Sequence, residues 1–316
     1  RDVRIILERS VKAKFSGTPF LTTKGVIHAD TAYALAKKWH PSMRSPLGAE
    51  LAALKAVKDK APTLGENADL RLTSAFNKSR TISGMAHNGK QWAVVTCDRN
   101  SAKPQRFYPP AKEFPTKWYN DEKKKGYSLK SVTGSPNGWT MLLEKGGPRD
   151  RVIGYNFDAA ALQTSAEEGY LINSVASAKP GNWIFVLHKS TSPKTVRQRF
   201  TTPRPFDAEM KKWIQARWKE GLYIKTLDGD GEKWVVVMSS ENPSLQTYFI
   251  TTKGWPTQNI DKYLKKGYHI SNIGGSAGKW IVVMDKLKSK AQVHKQRVKI
   301  DTQFPLSWIK HEWGIK

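Results

Sequence analysis

Three groups of residues in this sequence have types and spacings that could do chemistry, and each is incomplete. Gly84-Met-Ala-His-Asn-Gly89-Lys90-Gln91 has the glycine and lysine spacing of a phosphate-cradling loop. Such a loop needs a Ser or Thr after the lysine to ligate Mg²⁺, with a strand before it and a helix after it. Gln91 stands in the hydroxyl position and both flanking patterns are strands, so the stretch reads as a hairpin turn. Asp228-Gly-Asp230-Gly-Glu232 opens like a calcium loop, but Ser239 stands where the bidentate glutamate is required. It reads as an acidic turn tip. The histidines (His28, His40, His87, His188, His269, His294 and His311) include no pair at His-Glu-x-x-His or similar ligand spacing. Cys97 is the single cysteine, which excludes a disulfide framework or a thiolate cluster, and a Cys/His nucleophile pair would need a distant partner. No Gly-x-Ser-x-Gly elbow occurs. The sequence therefore predicts no catalytic, cofactor-binding or metal-binding residue.

Charge and aromatic residues remain. The 316 residues carry 53 Lys+Arg against 27 Asp+Glu, a net charge of +26, with 12 Trp and 39% hydrophobic residues. That length and composition suit one large or two ordinary domains with a real core, and exclude wholesale disorder. No run of eighteen or more apolar residues exists to span a bilayer. A field of this size favours anionic partners such as nucleic acid or acidic protein segments. Basic residues recur before a glycine: Lys123, Lys124 and Lys125; Lys211, Lys212, Arg217 and Lys219; Lys262, Lys265 and Lys266. These positions, with Trp255, are the candidate partner-binding residues. Trp255 is included because it lies between Gly254 and Pro256, off the aromatic pattern described next.

That pattern is an internal repeat. Trp92-Ala-Val-Val-Thr, Trp139-Thr-Met-Leu-Leu, Trp183-Ile-Phe-Val-Leu, Trp234-Val-Val-Val-Met and Trp280-Ile-Val-Val-Met follow one another at spacings of 47, 44, 51 and 46 residues. Each is a short apolar run of the kind a strand buried on both faces requires. Upstream of each lies a second strand pattern, beginning near Thr81, Tyr127, Tyr170, Tyr223 and Tyr268, and a Gly- or Asn-containing turn joins the two. A third strand is expected after each hairpin, as in Gln105-Arg-Phe-Tyr and Leu245-Gln-Thr-Tyr-Phe-Ile, followed by a short helix such as Met210 to Trp218. A glycine then stops the helix. The unit thus reads strand, strand, strand, helix.

The first hairpin lacks a helix of its own, and the last helix ends where a sixth hairpin would begin. This predicts a mainly β fold of five repeats of about 47 residues, closed into a five-unit β-propeller-like array over residues 79–316. An open stack is the alternative. Residues 1–65 read as a small helical lead-in that could end an upstream domain. Helical patterns run over Val3 to Val11, Asp30 to Trp39 and Ser45 to Lys60, with a linker from Thr63 to Asn67. Position 1 is Arg and no signal-peptide pattern follows, so the chain is expected to be a fragment or processed product.

The aromatic helix, the glycine, the Tyr-Ile strand, the Gly-rich turn and Trp-Val-Val-Val-Met-Ser recur together, best in Trp213 to Gln246 and in Tyr263 to Lys286. This pattern resembles the repeated, non-catalytic C-terminal region of plant casein-kinase-I-like protein kinases, and similar repeats in bacterial modules. The resemblance covers roughly residues 79–316 and implies an accessory or recruiting role. No His-Arg-Asp or Asp-Phe-Gly kinase motif is present. Three functions follow in order of expectation. The first is a non-catalytic scaffold that binds a protein or recruits a substrate for a larger signalling or protease protein. The second is a polyanion- or nucleic-acid-binding module using a basic rim. The third is an enzyme with a site at the ring centre. No membrane partner is expected, and a cytoplasmic or nuclear location fits the single cysteine.

Overall fold

The five tryptophan strands are buried on both faces because successive residues serve different neighbours. Trp234, Val236 and Met238 enter one apolar cluster, while Val235 and Val237 enter the cluster on the opposite face. A strand with one wet face would alternate apolar and polar residues; these do not. Trp92, Trp139, Trp183, Trp234 and Trp280 are all at most 2% exposed, which makes them core residues.

A computed structural model describes residues 80–98, 103–154, 156–193, 195–241, 245–286 and 295–314. The chain divides into two units, 1–66 and 67–316, and every described residue lies in the second. The expected helical lead-in therefore lies outside the described residues.

Sixteen strands and five helices are described. The hairpins are β1 (Arg80–His87) with β2 (Trp92–Asp98), β4 (Tyr127–Ser135) with β5 (Gly138–Lys145), β7 (Tyr170–Lys179) with β8 (Asn182–Lys189), β11 (Tyr223–Gly229) with β12 (Lys233–Ser239), and β14 (Tyr268–Ser276) with β15 (Lys279–Lys286). The remaining strands are β3 (Gln105–Ala111), β6 (Asp150–Gly154), β9 (Gln198–Phe200), β10 (Arg204–Pro205), β13 (Gln246–Thr251) and β16 (Gln296–Asp301). The helices are α1 (Thr116–Lys124), α2 (Ala159–Glu167), α3 (Ala208–Lys219), α4 (Thr257–Leu264) and α5 (Leu306–Trp313). Gly126, Gly169, Gly221 and Gly267, which follow four of these helices, all have φ between 76° and 83°. That left-handed conformation is where glycine ends a helix without a side-chain penalty.

The fold is mainly β: five small sheets with orders β1-β2-β16, β3-β5-β4, β6-β8-β7, β9/β10-β12-β11 and β13-β15-β14. The strand expected to complete each hairpin instead completes the next one. Thus β3 pairs with β5, not with β2. The outer edge of each second hairpin strand is already taken by the strand that arrived ahead of it through a helix. In β3–α1–β4 the two strands run parallel on either side of β5, and a parallel connection needs a crossover of a dozen or more residues. The helix supplies it. The sheet holding the first hairpin takes its outer strand from the far end of the chain, since β16 pairs with β2 from Gln296↔Cys97 to Asp301↔Trp92.

Five apolar clusters lie between successive sheets. The cluster around α1 joins the β4–β5 hairpin to Ala176, Ile184 and Val186. Those around α2 and α3 reach Val235 and Val237, and Ile281 and Val283, respectively. The α4 cluster takes in Ala93 and Val95, and the α5 cluster joins Ile82 and Val94 to Phe107 and Leu142. Arg80 on β1 also pairs with Glu312 on α5 at 2.6 Å. Burial pushes the Glu312 carboxyl up, but the hydrogen bonds and charges of Arg80 and Arg297 outweigh that and hold it below its ordinary range.

Candidate functional site

Each first hairpin strand carries a β-bulge at the same place, and β7 has a second register shift between Ser177 and Lys179. The extra residues are Ser83, Lys130, Asn173, Lys225 and Ser271, each set between an Ile or Leu and a small or polar residue. A bulge bends its strand and re-aims side chains. All five bulge residues line one cavity of about 390 Å³. The same cavity is bounded by Met85, Val132, Val175, Leu227 and Ile273, two residues further along each strand. A second cavity of about 900 Å³ is lined by the hairpin turns, including His87, Pro136, Pro180 and Asp230.

The bulges are held by a repeated fork. Gln296 accepts from Ile270 N–H at 2.7 Å and donates to the Ile270 carbonyl at 2.8 Å. Gln105 does the same for Ile82, Gln198 for Ile172 and Gln246 for Ile224. Each fork starts on the outer strand of one sheet and ends on the first hairpin strand of its neighbour. An amide suits this because it carries both an acceptor and a donor. Asp150 replaces the glutamine once. It accepts from Leu129 N–H at 2.6 Å but has nothing to donate, and the Leu129 carbonyl instead receives the Nε2–H of His188 at 2.7 Å. Burial lowers the His188 pKa, with the Leu129 bond opposing. Tyr119 donates to Asp150 at 2.9 Å, and burial followed by the Asp150 charge pushes its phenol up.

The polar side of the cavity is concentrated between β11–β12 and β13–β15. Lys225 pairs with Glu241 at 3.1 Å, and Gln246 donates to Asp285 at 2.8 Å. Burial raises the Asp285 pKa against hydrogen bonds from Gln246 and Ser271 and the charge of His269. On the opposite side Lys130 pairs with Glu144 at 2.6 Å. Asp228 is buried and accepts from Ser177 N–H at 2.9 Å and Gly275 N–H at 3.2 Å, both on neighbouring sheets; burial pushes its carboxyl up to about 7. Charges of both signs, each already partnered, make a lining suited to holding a polar group in place. Among the described residues no cluster of three or more His, Cys, Asp or Glu could hold a metal ion, and no helix is long and apolar enough to cross a membrane.

The crossover direction fixes at which end of the described fold the helix C-termini lie. Each helix leaves its outer strand near the hairpin-turn end and returns to the start of the first hairpin strand, as β3 ends opposite Trp139 and β4 begins opposite Lys145. The helix C-termini therefore share the end at which the cavity, lined by Glu241, Asp285 and Gln296, is found. Lys123, Lys124, Arg217, Lys219 and Lys262 fall in last turns there, with Lys125, Lys265 and Lys266 just beyond. Asp158 and Asp207 cap helix N-termini at the hairpin-turn end, near the turn residues Asp230 and Glu232.

Several of the basic candidates are paired. Lys123 meets Asp150 at 2.9 Å, Lys125 meets Glu122 at 2.9 Å, Lys212 meets Glu209 at 2.8 Å and Arg217 meets Glu220 at 2.8 Å. Lys124 lies 3.9 Å from Asp121 and is 80% exposed, the geometry of a weak surface pair. Lys211, Lys219, Lys262, Lys265 and Lys266 are exposed. Trp255 is a correction. It is half-buried and meets Trp280 edge-on at 5.5 Å, in the slot where Phe304 meets Trp92 and Phe206 meets Trp234. It is on the pattern, with indole in place of phenyl. The glutamine forks and the Lys225–Glu241–Asp285 group went unnoticed in the sequence. The glutamine that opens four of the five outer strands was the available signal.

Over residues 159–248, from α2 into β13, the chain matches a protein family described as a domain of unknown function (DUF7477). No curated protein matches it.

Proposed function

We propose that residues 79–316 form a closed five-unit β-propeller-like array serving as a non-catalytic recognition module for an acidic protein segment. Closure is supported by the pairing of β16 with β2 and by four glutamine forks, the Asp150–His188 substitute and five apolar clusters that link each sheet to the next. The observation that carries the function is the crossover direction. It puts the basic helix ends at the same end of the fold as the cavity lined by the five bulge residues.

A protein partner is favoured over single-stranded nucleic acid because base stacking needs free aromatic faces. The large hydrophobic side chains exposed among the described residues are Leu245, Ile250 and Leu264, and none is aromatic. A binding role is favoured over catalysis because Lys225 and Asp285 already have protein partners. The test uses the full chain, a fluorescent ten-residue polyglutamate peptide and a single-stranded oligonucleotide of equal charge. Lys124→Glu/Lys265→Glu/Lys266→Glu should weaken peptide binding at least tenfold. Lys90→Glu/Lys233→Glu/Lys279→Glu, at the hairpin-turn end, should change it less than twofold. Equal losses in the two triple variants would overturn the assignment of the face, and preference for the oligonucleotide would overturn the partner class.

A further inference from the structure

The outer edge strands differ in one respect that bears on what this module can hold. An unpaired edge presents a row of backbone donors and acceptors, and proteins blunt such edges with proline, charge or interruption. Four of the five outer edges here are blunted. Pro109 and Pro110 lie in β3, and β6 is five residues long with Asp150 and Arg151. β9 and β10 are three and two residues long, the second ending in Pro205, while β16 carries Arg297, Lys299 and Asp301. The fifth, β13, reads Gln-Thr-Tyr-Phe-Ile-Thr. It has no proline, no charge and no interruption.

The backbone of β13 is set up to accept another strand. Lys286 N–H donates to the Leu245 carbonyl at 2.8 Å, which makes Leu245 and Lys286 a hydrogen-bonded pair. Counting along the register from Gln246↔Asp285, Thr247, Phe249 and Thr251 bond to β15, and Gln246, Tyr248 and Ile250 turn their N–H and C=O groups away from it. Leu245 and Ile250, at 64% and 38% exposed, flank this edge. On one face Trp218 of α3 packs against Tyr248 at 5.8 Å, and on the other Tyr263 of α4 packs against Phe249 at 5.1 Å. The edge therefore runs between two helices that carry the exposed Lys211, Lys219 and Lys262, with exposed Lys265 and Lys266 just past the end of α4.

We infer that β13 is a docking edge that takes an extended acidic peptide segment as an added strand. Main-chain hydrogen bonds to Tyr248 and Ile250 supply the binding, as in other strand additions. The lysines on α3 and α4 select carboxylates flanking the added strand, and the net charge of +26 disfavours a second copy of this chain as the occupant. This rests on the acidic partner of the proposed function and goes beyond it, giving that partner a backbone conformation and a place on an outer sheet edge instead of over the cavity.

The probe is a fluorescent Glu-Glu-Val-Thr-Val-Thr-Val-Glu-Glu peptide, compared with one of equal charge in which the central Val is Pro. The full chain should bind the first at least tenfold more tightly, and binding should slow amide exchange at Tyr248 and Ile250. Ile250→Pro removes an outward N–H without touching the bonds to β15, and should abolish the difference between the two peptides. Ile250→Val should preserve it. Equal binding of the two peptides by the unmodified chain would overturn the strand addition while leaving an acidic-segment module intact. Failure of both peptides to bind would overturn both readings. Peptide-induced protection that survives Ile250→Pro elsewhere than β13 would also refute it.

Discussion

Replacing Gln296 by leucine removes both arms of one fork and nothing else that is hydrogen-bonded through that side chain. Ile270 is 4% exposed, so its N–H and carbonyl have little access to water once the amide is gone. Each orphaned buried backbone group costs about 1–3 kcal/mol, so the pair costs about 2–6 kcal/mol. Burying leucine in place of the amide returns about 1–2 kcal/mol. From the middle of both ranges, the net loss should be about 2.5 kcal/mol. With a urea slope of about 2–3 kcal/mol per molar, the unfolding midpoint should fall by about 1 M. Tryptophan fluorescence reports the transition, because five of the rings lie between the sheets. Gln296→Glu keeps the acceptor and places a carboxylate against the Ile270 carbonyl, so it should lose at least as much as one arm and lose more at pH 7 than at pH 4. A midpoint in Gln296→Leu that stays within about 0.2 M of the parent would refute the idea that the forks hold the bulges.

The Asp150–His188 substitute gives a second test: His188→Leu should cost about 1–3 kcal/mol in the parent and clearly less with Asp150→Gln present, a coupling that a double-mutant cycle in urea reads directly. Asp228 keeps its proton in the folded state up to about pH 7 while the unfolded chain loses it near 3.8, so this group's contribution falls, by on the order of 4 kcal/mol, as pH rises through that window. Subtracting the pH–stability curve of Asp228→Asn from that of the parent should isolate the fall. His87 acts in the opposite sense, since burial lowers its pKa from 6.5 to about 4 and its Nδ1 accepts from Gly89 N–H at 3.0 Å. Stability should drop as pH falls from 6.5 toward 4, and His87→Gln should flatten that limb. Finally, a Cβ at Gly134 would lie 2.0 Å from the Ser177 carbonyl oxygen, so Gly134→Ala should destabilise by at least about 2 kcal/mol in thermal or urea unfolding.

The hairpins and four of the five helices were legible in the sequence because their signals are local; α2, Ala159–Glu167, was not, because it carries none of the aromatic residues that mark the others. Trp234-Val-Val-Val-Met has no polar residue to place in water, Gly229 to Gly231 tolerates a tight turn, and Gly221 stops a helix. Strand partnership was not local. Gln246-Thr-Tyr-Phe-Ile follows one hairpin and precedes another, and nothing in its composition says which of the two it joins. The answer lies in the crossover geometry of α4, which the sequence shows only as a helix of suitable length. The cavity was illegible for a related reason. Lys225, Glu241 and Asp285 are 16 and 44 residues apart in sequence order, and they meet because the bulge at Lys225 re-aims one side chain toward the ends of two other strands. Trp255 misled because, beside Gly254 and Pro256, it lay off the aromatic pattern, whereas Pro256 is a helix N-cap and the indole fills a phenylalanine slot.

A basic face at the helix C-termini needs an account that separates stability from binding. The helix dipole by itself favours lysine in a last turn, by about 0.3–1 kcal/mol per exposed charge, and favours aspartate at an N-cap. Asp158 and Asp207 obey that rule, and so do Lys124 and Lys262. Part of the asymmetry between the two ends is thus a by-product of five helices pointing the same way. The dipole weakens within a turn, however, and Lys266 lies past the end of α4, after the C-cap residue Lys265. Lys266→Glu should therefore shift the unfolding midpoint by less than about 0.5 kcal/mol, while Lys262→Glu should cost more because it sits in the last turn itself. Binding of the polyglutamate peptide should order them differently, with both variants losing affinity by a similar factor and the loss shrinking as salt rises. If affinity followed stability across the two variants, the lysines would be serving their helices, and the basic face would have no partner to explain.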